Sequence, residues 1–172
     1  MTEGYAQQLE TIRRFYGDQR ARRSNVPYIS HIEEGVKVLK ELGADDDTIG
    51  AWCLHPMVQG DVDLLGTLND NLLAGMPTMS VLLAMEYRSR ANSHLSHDAP
   101  KEPRPGPLWQ VTVMLIADKI QNRKDFLLHV KDHPDTQNGS RLEAYYQEWL
   151  DALGVSDELR DHLTRLITEG VV

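Results

Sequence analysis

The run from Thr48 to Val58, TIGAWCLHPMV, restricts the fold more than any other stretch of this chain. It follows Asp45, Asp46 and Asp47, whose carboxylates can accept from the unpaired amides at a helix start and favour its positive end. The helix so announced is apolar on nearly every side, so other helices must wall it in. Pro56 interrupts it. A proline carries no amide hydrogen and disfavours helical geometry at the residue before it, here His55. A kink or an end is therefore expected at His55, with Met57 to Gln59 as a distorted turn.

The remaining segments read as partners for that central helix. Tyr5, Leu9, Ile12 and Phe15 or Tyr16 recur at helical spacing and stop near Gly17. A basic connector follows with Arg20, Arg22 and Arg23, and Pro27 fixes a turn. The next helix is expected over about His31 to Leu42, with Ile32, Val36 and Leu39 as its buried stripe and Gly43 past its end. Leucines at 64, 65, 68, 72 and 73 predict a short helix within Asp63–Met76, and Pro77 opens another that carries Leu82, Leu83, Tyr87, Arg88 and Arg90. Asn92 to Pro107 is rich in proline and charge and reads as a long surface loop holding His94 and His97. The longest apolar helix then runs from Pro107 to about Val130. Asp118 breaks its apolar face, with Asn122 one turn later on that face, while Lys119, Arg123 and Lys124 are expected outward. Ser140 and Ser156 are candidate caps for the last two helices. No segment alternates with period two and no internal repeat is present. The expectation is an all-α bundle of about eight helices, one domain over residues 1–172, with a Pro-rich surface loop.

Composition limits the partners. A chain of 172 residues suits one domain with a sizeable core. The formal charge of −8 argues against nucleic acid or an anionic membrane surface as main partner, though a local arginine cluster can still grip a small anion. Cys53 is the one cysteine, so disulfides and cysteine-based zinc sites are excluded, and its apolar neighbours mark it as a core thiol. The start MTEGYAQQLE lacks the pattern of a signal peptide and no apolar run is long enough to span a bilayer, so the expected location is cytoplasmic.

His31, His55 and Asp118, each on a different helix, form a ligand set of two imidazoles and a carboxylate that suits a divalent metal with positions left for water or substrate. Such an ion polarises a phosphoryl oxygen. The residues alone do not require the three to meet. No Gly-rich phosphate loop and no serine or cysteine nucleophile motif is present.

Four stretches, in order, resemble the HD-domain alarmone hydrolases of the RelA/SpoT type, in size their small metazoan members. Arg22-Arg23 with Pro27-Tyr28-Ile29-x-His31 resembles that family's R-K-x-G-x-P-Y-I-x-H-P. AWCLHPMVQGD resembles A-A-L-L-H-D-x-V-E-D-T, IADKIQNRKD resembles L-A-D-K-L-x-N-L-R-D, and RLEAYYQEW is similar to the closing helix. The resemblance implies an HD-domain bundle and manganese or another divalent metal held by His31, His55 and Asp118. It also implies a phosphorylated nucleotide held by Arg22, Arg23, Tyr28, Asn122, Arg141 and Tyr145.

The chain departs from that pattern where the chemistry lies. Pro56 stands at the family's metal-binding aspartate, and Gln59 and Gly60 stand at the Glu-Asp pair that assists hydrolysis. Asp61 is one position late, about a hundred degrees round a helix; it can serve only if a kink at Pro56 re-aims the turn. Binding residues are kept and chemical ones lost. The reading is a protein that binds a phosphorylated purine nucleotide with hydrolysis lost or much reduced. The alternatives are an active metal-dependent pyrophosphohydrolase with a remodelled site, and a non-enzymatic interaction domain. A homo-oligomer is compatible with each.

Overall fold

The computed structural model describes residues 3–21, 24–92, 103, 105–131 and 139–169, without the side chains of 139 and 140. Arg22, Arg23, His94 and His97, together with most of the Pro-rich loop, lie outside the described residues. The elements are α1 (Ala6–Tyr16), α2 (Tyr28–Glu41), α3 (Asp46–Gln59), α4 (Asp61–Asn69), α5 (Thr78–Asn92), α6 (Trp109–Asp125), a π-helical turn (Phe126–Val130), α7 (Gly139–Ala152) and α8 (Asp157–Thr168). Among the described residues there is no strand, only a single bridge between Arg20 and Pro27 that closes the connector. None of the helices is long and apolar enough to cross a membrane.

Helix α3 is the centre, as its all-round apolarity requires. Ala51, Trp52, Cys53, Leu54, Met57 and Val58 have no exposed surface, and the helix packs on α1, α2, α4, α5 and α6. Asp45 caps it, accepting from the Thr48 amide at 2.8 Å. Ser156 likewise caps α8, accepting from the Leu159 amide at 3.3 Å. Ser140, expected as a cap, instead lies inside α7, which begins at Gly139.

Three expectations are corrected. The helix does not end at His55: α3 runs through Pro56 to Gln59. Burial on every side holds the backbone helical where local preference opposes it. The helix expected over Asp63–Met76 is the shorter α4; it stops at Asn69, and Asn71 (φ 55) and Gly75 (φ 74) turn the chain toward α5. Finally, Lys119 and Lys124 are not outward but buried, at 5% and 4% exposure. An interior helix such as α6 has no outer face along this stretch. Each ammonium is paired instead: Lys119 with Asp118 at 2.6 Å, and Lys124 with Glu34 of α2 and with Asp125.

Cys53 is a core thiol. Burial pushes its pKa up to about 12, so near pH 8 about one molecule in ten thousand carries the reactive thiolate. A thiol reagent at pH 8 is expected to leave the native protein unmodified and to label one thiol per chain in denaturant. Full labelling of native protein within minutes would contradict that burial.

Candidate functional site

His31 lies in the first turn of α2, which Pro27 starts at Tyr28, three residues earlier than the apolar stripe suggested. Its ring rests on the Trp52 indole at 4.9 Å between centroids, and His55 stacks on that indole at 4.3 Å. The indole is fixed in turn: it is fully buried and its Nε1 donates to the Ile32 carbonyl at 3.0 Å. Trp52 is thus a shared platform that brings the histidines of two helices together. The i, i+3 spacing of Trp52 and His55 puts them on one face of α3, the signal from which this pairing could have been read.

Hydrogen bonds then define what each imidazole presents. Gln121 donates its amide to Glu34 at 3.0 Å and to Asp125 at 2.8 Å. Its oxygen must therefore be the atom 2.6 Å from His31 Nδ1, so Nδ1 carries the proton. His55 Nδ1 lies 2.6 Å from the Trp52 carbonyl, which only accepts, so that nitrogen is also protonated. Burial, and secondarily the neighbouring His31, push the His55 pKa down to about 3, so its ring is neutral. With a proton on Nδ1 of each ring, the two Nε2 atoms face each other 3.4 Å apart, where one divalent cation could bind both.

The third donor comes from α6. Asp118 Oδ1 lies 3.8 Å from His31 Nε2, and one ligand atom from each of the three residues falls within 4.8 Å of the others. Burial raises the Asp118 pKa, but Lys119 and His31 outweigh it and hold the carboxyl below its usual value. Asn122 donates to Oδ1 at 2.7 Å and Lys119 to Oδ2 at 2.6 Å, which orients the group. Tyr87 packs edge-on against His55 at 4.9 Å, and burial, with the Asp118 carboxylate beside it, pushes the pKa of its hydroxyl well up. Two imidazoles and one ionised carboxylate fit a divalent cation. Each ligand also has the outer partner that usually orients such a ligand: Gln121 for His31, the Trp52 carbonyl for His55, Asn122 for Asp118.

His31, His55 and Asp118 line a cleft of about 470 Å³, with Tyr28, Gln59, Asn122 and Tyr145 also in its wall. Tyr145 accepts from Lys119 at 3.2 Å. Arg141 is exposed on α7 and is not among the residues lining the cleft. Asp61 is not re-aimed. Gly60 leaves α3 in an extended conformation and Asp61 begins α4, where it pairs with Arg88 and is 85% exposed. Arg88 also donates to the carbonyls of Val58 and Gln59. Asp61 instead lines an adjoining cleft with Phe15, Tyr16, Tyr28, Gln59 and Asp63.

Sequence reasoning missed Glu34, Trp52, Lys119 and Gln121 as parts of the site. Trp52 and Gln121 had readable signals, one three residues before His55 and the other three residues after Asp118, each on the same helix face. No family model, curated protein or solved structure matches the chain.

Proposed function

We propose that this protein binds a divalent metal, manganese foremost, through His31, His55 and Asp118, and a phosphorylated purine nucleotide beside it, with hydrolysis lost or much reduced. The observation that carries the reading is the pair of Nε2 atoms 3.4 Å apart beside the Asp118 carboxylate. The meeting of these three residues in one cleft supports kinship with the HD-domain alarmone hydrolases, whose motifs the chain resembles.

The loss of hydrolysis follows from the acids. Only Asp118 and Asp125 carry carboxylates among the described residues of the main cleft. Asp125 is bound by Lys124 and Gln121, Asp118 by Lys119 and Asn122, and Gln59 stands where a base is needed. A bound metal supplies electrostatic attraction for a phosphoryl group; among the described residues the main cleft offers no carboxylate free to take a proton from water. The adjoining cleft narrows the ligand. Its described walls hold aromatic rings, Asp63, and Asp61 in its pair with Arg88, so it suits a base or sugar better than a second phosphate.

Calorimetry tests this. One manganese per chain is expected, with affinity at least a hundredfold lower in His31→Ala. A purine nucleoside monophosphate should then bind stoichiometrically, more tightly than a guanosine polyphosphate, with no steady release of phosphate. A chain that takes up no manganese at millimolar excess refutes the metal reading. Steady turnover sensitive to His31→Ala would instead establish the active hydrolase.

A further inference from the structure

Pro56 lies inside α3, yet the helix continues past it. In a regular helix, the amide of residue 56 would donate to the carbonyl of residue 52. Proline has no such hydrogen, and its ring crowds that carbonyl. The Trp52 oxygen is thereby left without its helical donor, and it is the atom that His55 Nδ1 engages at 2.6 Å. We propose that Pro56 is a positioning residue: it releases the Trp52 carbonyl to His55 and so fixes the tautomer that turns the bare Nε2 toward His31 and Asp118.

This deepens the metal-binding reading and rests on it for its purpose, though not for its test. The residue that replaces a ligand in the resembled pattern supplies no donor atom of its own. It acts one residue back, on a ring packed against Trp52 at 4.3 Å, Tyr87 at 4.9 Å and His31 at 5.3 Å, whose one other polar contact is His31 Nε2, 3.4 Å from its own Nε2. Aromatic packing sets the plane of an imidazole. It does not choose which nitrogen holds the proton. The carbonyl does, because it can only accept.

The effects on stability and on binding should run in opposite directions, which separates this role from a merely structural one. In Pro56→Ala, the restored amide competes for the Trp52 carbonyl and draws it back toward the helix axis. An alanine also suits a helix interior better than proline, so the thermal midpoint should rise or hold. Meanwhile His55 should lose its single tautomer. The decisive measurement is long-range proton–nitrogen correlation on histidine-labelled, metal-free protein near pH 7.5. Wild-type His55 is expected wholly as the Nδ1–H form, and Pro56→Ala as a mixture of both. Manganese affinity should fall tenfold or more in the variant, the usual cost of removing an outer partner. An Nε2–H form in the wild type, or an unchanged tautomer in Pro56→Ala, overturns the proposal. Since the tautomer is read without metal, a wild-type chain that takes up no manganese refutes the metal reading and leaves this test decisive.

Discussion

Gly35→Ala is expected to destabilise the protein by about 2 kcal/mol, although it places the best helix former in the middle of a helix. Intrinsic propensity alone would favour alanine by about 1 kcal/mol. Packing opposes it. A Cβ on Gly35 would lie 2.2 Å from Trp52 Cζ2 and 2.5 Å from Nε1, well inside van der Waals contact. The indole cannot retreat: it is fully buried, tied to the Ile32 carbonyl and stacked on both histidines. Forcing an extra carbon into such a site costs about 1–3 kcal/mol and sometimes more, so the clash exceeds the propensity gain. For a chain of this length the midpoint should fall by roughly 4–8 °C, and manganese affinity should fall with it as the platform under the histidines shifts. Gly66→Ala is the control. No atom lies within 4 Å of its added Cβ, so it should hold or raise the midpoint. Equal behaviour of the two variants would show that the indole does not need the gap at Gly35.

Gly35 also marks how far the sequence could be read. Helical periodicity and capping residues located every helix, because those signals act within a few residues and depend little on the rest of the fold. The all-round apolarity of TIGAWCLHPMV placed α3 at the centre for the same reason. The misreadings have one physical source, which is burial. Pro56 was expected to break its helix, but the enclosing bundle holds a backbone that local preference would bend. Lys119 and Lys124 were expected outward because free charges avoid the interior. Their partners are Asp118 and Asp125, adjacent in sequence, and Glu34, ninety residues away. No local rule anticipates the last. Within the site, His31, His55 and Asp118 were legible as residue types, and Asn122 by its spacing from Asp118. The Gln121 oxygen and the Trp52 carbonyl were not, since neither carries a ligand signature until the fold brings it to a histidine. Arg141 was read from its spacing relative to Tyr145; it is exposed on α7 and is not among the residues lining the cleft.

Asp118→Ala is expected to cost about 3–5 kcal/mol, the usual penalty for removing one member of a buried ion pair. The cost lies mostly in what is left behind. Lys119 is 5% exposed, and its ammonium would keep only the Tyr145 hydroxyl at 3.2 Å and the faces of Tyr145 and Trp149, with its nitrogen 5.3 and 5.1 Å from their centroids. Those rings offer a cation about 1–2 kcal/mol, less than burial takes away. If the stranded charge is the cause, removing it should restore stability. The double variant Asp118→Ala with Lys119→Met should therefore be at least 1 kcal/mol more stable than Asp118→Ala alone, as measured by denaturant unfolding of all four proteins in the cycle. Additive losses would mean that the ion pair is not what Asp118 contributes. Metal binding separates the same two residues differently. Both Asp118 variants should lose manganese, because a ligand is gone. Lys119→Met keeps all three ligands and frees the Oδ2 atom that Lys119 holds at 2.6 Å, so its manganese affinity should match or exceed that of the wild type. Under the proposed metal binding, the ammonium and the metal would draw on one carboxylate, with Lys119 balancing its charge in the metal-free protein.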